Sequence, residues 1–375
     1  MNQPPVLKVT DLHTYFYARG KRAFIRSVDG VSLQIAKGQT LGIVGESGSG
    51  KSVTALSIMG LVETDPGVIA GSIRLQANGA STNLLDGLDQ YSKTLRQDGR
   101  IMQVTKDVKG WRRRSDHILK GIRGSQIAMI FQDARSALNP FSTIGRQISE
   151  AVLLNTAIKD PREARQRAMH WLAQVRIDAP ALRYHNNPYG LSGGMCQRAM
   201  IAMALATEPA LLIADEPTTG LDATIQSRIV DLLADLKASL GVTTLLISHD
   251  IDVIRQLADE VAVMYGGTVM EQGPVAEVLA PAVEAKHPYT AALLASIPDK
   301  RLIQAKGQLR AIDGEVLDTI NVPEGCRFYP RCRMAHAAIE KHCREREPEL
   351  RPAAGPHEIR CWLYQSIQDH DPNHS

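Results

Sequence analysis

From residue 6 to about residue 265, apolar runs of strand length alternate with helix-period patterns, the rhythm of a parallel α/β core. Thr40–Gly45 (TLGIVG) reads as a buried strand, and Ser52–Leu61 as the helix that follows it. Ala164–Arg176, Gln197–Ala206 and Asp222–Leu240 carry helical patterns, with Ala210–Ala214 and Val242–Ser248 as short apolar strands between them. No internal repeat is visible.

Residues 76–124 break the rhythm. They are polar and glycine-scattered, with nine Lys and Arg against three Asp between Leu95 and Gly124, and read as a surface insertion. The cluster Trp111-Arg112-Arg113-Arg114 has the charge to touch nucleic acid or anionic lipid, but a solvated charge run is the simpler reading. Beyond residue 265, Gly-rich turns and Pro274, Pro281, Pro288 and Pro298 lead into a cysteine-bearing segment and a polar tail. This stretch reads as a small appended domain with a frayed end.

Composition narrows the class. With 375 residues, 44% of them apolar, and a net charge of +3, the chain has enough core for one large or two modest domains and is not disordered. Its most apolar stretch, Ala199–Ala214, is cut by Thr207, Glu208 and Pro209, so no membrane span is expected. The N-terminal residues lack a secretory pattern, and a reducing compartment is the expectation. In such a compartment, crowded cysteines suggest metal before disulfide. Cys326, Cys332, Cys343 and Cys361 are separated by five, ten and seventeen residues. Four thiolates suit a [4Fe–4S] cluster or tetrahedral Zn²⁺, and the absence of paired Cys-x-x-Cys knuckles favours iron–sulfur.

The strongest chemical signal is Gly45-Glu46-Ser47-Gly48-Ser49-Gly50-Lys51-Ser52, which satisfies G-x-x-x-x-G-K-[ST] between a strand and a helix. Glycines at 45, 48 and 50 let backbone N–H groups turn around phosphate oxygens, and the helix N-terminus favours the same anion. Gly45, Ser47, Gly48, Ser49, Gly50, Lys51, Ser52 and Val53 are the expected ATP contacts, with Lys51 on the β and γ phosphates and Ser52 on Mg²⁺. Leu211–Glu216 is an apolar strand ending in two carboxylates. Asp215 is the expected partner of the magnesium, and Glu216 the residue that polarises the attacking water. Ser192-Gly193-Gly194, just before an apolar-periodic helix, forms a second anion-ready cradle. One nucleotide does not need two cradles so far apart in sequence, so a site shared between two subunits is expected.

Taken in order, these motifs resemble the ATP-binding subunits of ABC transporters, and the match is close to the oligopeptide/dipeptide importer branch. The resemblance covers about residues 6–365 apart from the 76–124 insertion. It implies an α/β fold of the P-loop NTPase (ABC ATPase) class, with a nucleotide-binding domain at 1–265, a helical subdomain at about 132–205 and a C-terminal extension at 266–375. It further implies that Gln132 in MIFQD senses Mg²⁺ and faces the membrane subunits. Ser192, Gly193 and Gly194 in LSGGMCQR would meet the opposite γ phosphate. Thr219-Gly220-Leu221-Asp222 resembles the D-loop, His249 the switch histidine and Phe16 the adenine-stacking aromatic, with Tyr15 and Tyr17 competing. His287-Pro288-Tyr289-Thr290 resembles the start of the peptide-importer extension, in which several relatives carry a metal cluster. Two departures, Ala134-Arg135-Ser136-Ala137 after the Q-loop and Cys196 where Arg is common, leave the phosphate chemistry intact and bear on partner and substrate.

The expected activity is ATP hydrolysis coupled to import of di- or oligopeptides, with nickel, opines or sugars open. Expected partners are a second ABC ATPase subunit, identical or paralogous, two transmembrane permease subunits and, indirectly, an extracytoplasmic solute-binding protein. The expected place is the cytoplasmic face of the inner membrane. A soluble ABC ATPase acting on nucleic acid or ribosomes is the alternative. One cassette, no heptads and the HPYT segment weigh against it, and no nucleic-acid partner is expected.

Overall fold

The computed structural model describes residues 4–62, 66–97, 100–280, 283, 285–296 and 312–365. β1 (Leu7–Ala18), β2 (Ala23–Ile35), β4 (Pro66–Ala77) and β5 (Ala80–Asn83) form an antiparallel sheet in the order β2-β1-β4-β5. The second sheet is built on β3 (Thr40–Val44), β8 (Ile127–Ile130), β9 (Leu211–Asp215), β10 (Thr243–Ile247) and β11 (Glu260–Tyr265), all parallel and ordered β11-β3-β10-β9-β8. Every residue of β3, β8 and β9 is buried, as expected of parallel strands covered on both faces. The carboxyl ends of neighbouring β3, β10, β9 and β8 therefore share one edge, where α/β proteins bind ligands.

Helices Ile144–Asn155, Pro161–Gln174 and Gly193–Leu205 pack together through Ile148, Val152, Ala164, Ala168, Leu172 and Met200. Their starts follow local chemistry. Thr143, Asp160 and Ser192 each cap a backbone N–H, and Pro161 opens its helix at the position that needs no donor.

The stretch read as a surface insertion is more firmly attached than its polarity suggests. β5 joins the antiparallel sheet, and a hairpin, β6 (Ser92–Gln97) with β7 (Arg100–Lys106), packs Ile101 against Tyr15 and Ile69. Trp111 is buried, and Lys106 Nζ sits 3.7 Å from its ring centroid. It therefore anchors the segment instead of presenting a surface contact, while neighbouring Arg112 stays exposed.

The region after residue 265 is stitched to the core. β12 (Thr268–Pro274) pairs with β11, and β14 (His357–Ile359) with β13 (Arg351–Ala354) extends the main sheet beyond β12. Arg327, its side chain 4% exposed, ties this region to β2 through Asp29 at 2.8 Å, and it also pairs with Glu347. No helix among the described residues is long and apolar enough to cross a membrane.

Candidate nucleotide site

After β3 the chain turns through Gly45–Gly50 into helix Lys51–Met59. At Gly45 (φ +153°) a Cβ would lie 2.1 Å from the Met264 carbonyl oxygen, and at Gly50 (φ +100°) 2.1 Å from that of Ser27. Only glycine lets the loop press this close to β11 and β2. Lys51 is 5% exposed, and its Nζ donates to the carbonyls of Gly45 (2.7 Å) and Glu46 (2.9 Å). Burial lowers its pKa against the pull of the Glu216, Asp215 and Glu46 carboxylates.

Ser52 Oγ donates to Asp215 Oδ1 at 2.9 Å, joining the loop helix to the end of β9. Burial raises the Asp215 pKa, with the Ser52 hydrogen bond opposing it. A hydroxyl and a carboxylate side by side are the oxygen donors Mg²⁺ prefers, so the residues present fit that ion.

Three loops meet on one oxygen of Glu216. Its Oε2 accepts from Gln132 Nε2 after β8 (2.9 Å) and from Thr219 Oγ1 after β9 (2.9 Å), and it lies 3.4 Å from His249 Nδ1 after β10. Glu216 adopts φ +47°, a conformation that costs a side-chain-bearing residue about 1–3 kcal/mol, while its N–H donates to Ile247 O at 2.9 Å. Such strain persists where the surroundings over-determine it, as three partners and a backbone bond do here.

Ser192, Gly193, Gly194 and Asp222 form a separate group. Ser192 is exposed, and its Oγ accepts from Met195 N–H at 3.3 Å. Gly194 abuts Ile225 and Gly193 faces Leu221, beside Asp222, whose carboxylate caps helix Ala223–Leu240. No hydrogen bond or ion pair among the described residues links this group to Lys51, Asp215 or Glu216. Ser47 and Gly48 are exposed at the crest of the phosphate loop, and Val53 is half-buried behind it.

Among the aromatics of β1, Tyr15 is wholly buried and its hydroxyl donates to Asp29. Tyr17 is 39% exposed and packs edge-on against Phe24. Phe16 is half-buried and pairs with Ile25, two residues from the Ser27 carbonyl that abuts Gly50. Phe16 thus combines partial exposure with nearness to the loop.

Sequence reasoning passed over Thr219 as a Glu216 ligand, and it passed over the contacts to Glu46 entirely. The Glu46 carboxylate pairs with Arg331, and its N–H donates to Tyr289 Oη at 2.9 Å. Neither partner carried a sequence signal for this contact, Tyr289 lying in the HPYT segment and Arg331 in the cysteine run.

All four C-terminal cysteines are free thiols, and Cys326, Cys343 and Cys361 are buried. Cys326 is electrostatically coupled to each of the other three. Burial, reinforced by neighbouring thiols, pushes Cys326 and Cys361 up to about 12 and Cys343 to about 11. Yet no group of three His, Cys, Asp or Glu among the described residues is arranged to hold a metal ion. The expected iron–sulfur or zinc site is therefore not preformed.

The phosphate loop, its carboxylates and the second cradle recur together in known proteins. Residues 28–219 match the ABC transporter family model. The chain belongs to the ABC transporter family. Residues 270–338 match a second model, the C-terminal region of oligopeptide/dipeptide transporters. The chain is 40% identical over 361 residues to the oligopeptide transport ATP-binding protein AppD of Bacillus subtilis, covering 96% of this chain and 97% of that protein. It is 39% identical over 365 residues to the dipeptide transport ATP-binding protein DppD of the same organism, covering 97% and 96%. Among solved structures it is similar to the dimeric structure of MJ0796, a bacterial ABC transporter cassette, with 25% identity, a TM-score of 0.54 and coverage of 72% and 98%. As an ABC ATPase, the chain binds and hydrolyses ATP.

Proposed function

We propose that this ABC ATPase powers import of di- or oligopeptides from the cytoplasmic face of the inner membrane, working as a dimer with an identical or paralogous ATPase beneath two permease subunits. The observation that carries this reading is the division of the site. One subunit finishes the phosphate grip and water-positioning group, while Ser192 at the mouth of the second cradle is exposed and bonded to none of those residues. The 40% identical relative named as an oligopeptide transport subunit supports the substrate class. Nothing favours the nucleic-acid or ribosome alternative, and burial of Trp111 removes part of its contact.

In this reading Lys51 keeps its two loop carbonyls and turns its third N–H to the β and γ phosphates, with Ser47–Val53 amides around them. Mg²⁺, held by Ser52, Asp215 and the amide oxygen of Gln132, supplies charge neutralisation at those phosphates when bound. Glu216 orients and polarises a water with Oε1, because Oε2 is already engaged by Gln132 and Thr219. His249 hydrogen-bonds the γ phosphate, Phe16 stacks on adenine, and Ser192, Gly193, Gly194 and Asp222 of each subunit close on the nucleotide of the other. Closure and release reach the permeases through the Gln132 loop, a two-state element biased by the γ phosphate.

For the cysteines we propose a [4Fe–4S] cluster, structural or redox-sensing, with Zn²⁺ as the alternative, at Cys326, Cys332, Cys343 and Cys361. Backbone proximity supports it, since the Cys326 N–H donates to the Cys343 carbonyl at 2.8 Å. Anaerobic purification with iron and sulfide assay tests it, and a colourless, iron-free protein overturns it.

The transport reading is tested by affinity purification from membranes. Two permease subunits should co-purify and give ATP-dependent peptide uptake in vesicles. Salt-sensitive nucleic acid in place of permeases contradicts the reading.

A further inference from the structure

We propose that Arg331 and Tyr289, both from the C-terminal region, are positioning residues for Lys51, acting through Glu46 of the phosphate loop. The inference rests on reading this loop as the ATP phosphate grip.

Every polar group of Glu46 is committed. Its carboxylate receives a bidentate pair from Arg331, Nη1 to Oε2 at 2.7 Å and Nη2 to Oε1 at 3.1 Å. Its N–H donates to Tyr289 Oη at 2.9 Å, and its carbonyl accepts from Lys51 Nζ at 2.9 Å. Two of these grips come from residues more than 240 positions away, and the third is the catalytic lysine itself.

The holding residues are themselves held. Arg331 has a side chain only 4% exposed, and all five of its N–H donors are used: two on Glu46, the others on Tyr265 Oη and the carbonyls of Ile312 and Asp313. Tyr289 is wholly buried, packed against Tyr265 and Phe328 with ring centroids 4.7 and 5.4 Å away. A planar guanidinium in a bidentate pair fixes orientation as well as distance, which a lysine could not do. The Glu46 peptide, and with it one of the two carbonyls that locate the Lys51 ammonium, is thus set by the C-terminal region. The nucleotide grip of the cassette is completed by a segment outside its phosphate-binding motifs.

The test uses the 375-residue chain, a fluorescent ATP analogue to measure Kd, and thermal melting as the fold control. Tyr289→Phe removes one hydroxyl, and Arg331→Gln removes the ion pair. Each should weaken ATP binding by roughly tenfold, the size of one lost charge-assisted or buried hydrogen bond. Glu46→Gln combined with Arg331→Gln should be no weaker than Arg331→Gln alone, because both variants cut one interaction. Arg327→Gln, which breaks a buried ion pair of the same region that does not touch the loop, should lower the melting temperature and leave Kd within about twofold. The proposal is overturned if Tyr289→Phe melts like wild type and binds ATP with unchanged Kd. It is also overturned if Arg327→Gln weakens binding as much as Arg331→Gln does, since that would mean general damage. Lys51→Ala separates the two layers. If it retains wild-type binding, the phosphate-grip reading falls and this inference with it; if it loses binding while the Tyr289 and Arg331 variants do not, only the inference falls.

Discussion

The two glycine-lined loops of this molecule are built to opposite rules. The loop at Gly45–Ser52 is braced from beneath: Lys51 and Asp215 are 5% and 6% exposed, and Lys51, Ser52 and Glu46 all have partners within the chain, while Ser47 and Gly48 stay exposed at the crest. The loop at Ser192–Gly194 turns its serine outward, with the Ser192 hydroxyl bonded among the described residues only to its own helix and its glycines resting on Leu221 and Ile225. A loop that must hold charged groups at fixed distances needs the low reorganisation of a braced site. A loop that must meet and release another subunit needs its donors uncommitted. On the proposed reading, the contrast means that one half of the site is finished by folding and the other by assembly.

The sharpest way to break the contrast is to disable the finished half. Glu216→Gln should cut turnover by about 10²–10⁴-fold, the range for losing a proton-accepting group, while ATP still binds and the closed dimer accumulates. Stopped-assay turnover with sedimentation checks both, and unchanged hydrolysis would remove Glu216 from its role. Thr219→Val leaves the carboxylate but deletes one of its three anchors, and should cost about tenfold in turnover with ATP affinity unchanged.

The cysteine region offers a contrast in pH. Folding raises the pKa of Cys326, Cys361 and Cys343, so their contribution to stability is fully present below about 9, the ordinary thiol value, and is lost as pH rises toward 11–12. Thermal melting of metal-free protein between pH 8 and 11 should fall more steeply for the wild-type chain than for Cys326→Ala, and parallel slopes would contradict this. The smallest effect belongs to the open half. Asp222→Asn keeps a capping oxygen for Ile225 N–H and should shift stability by only a few tenths of a kcal/mol in denaturant unfolding.

How much of this was legible follows from sequence distance. The phosphate loop declares itself because Gly45 and Lys51 are six residues apart and their spacing is the mechanism. Asp215 and Glu216 end an uninterrupted apolar run, so their place at the sheet edge was legible as well. Gln132 and His249 had weak local signals and were named from the order of motifs along the chain, His249 also from its place after the predicted strand Val242–Ser248. The antiparallel sheet of β1, β2 and β4 was hidden because bulges near Leu12 and Tyr15 break the two-residue alternation. Trp111 looked like part of a basic surface because cations flank it, and one of those cations, Lys106, turned out to cover its ring. The bond between Arg331 and Glu46 spans 285 residues, and no periodicity encodes such a pairing.

The most direct measurement is turnover and mass together for Ser192→Asp. Aspartate keeps the helix cap on Met195 N–H, so the fold should melt as wild type does, but its charge faces an incoming γ phosphate. The predicted result is unchanged ATP binding by the isolated chain, turnover reduced by about 100-fold or more, and no ATP-driven dimer. A chain that stays strictly monomeric and hydrolyses ATP at the wild-type rate with Asp at 192 would contradict the shared site.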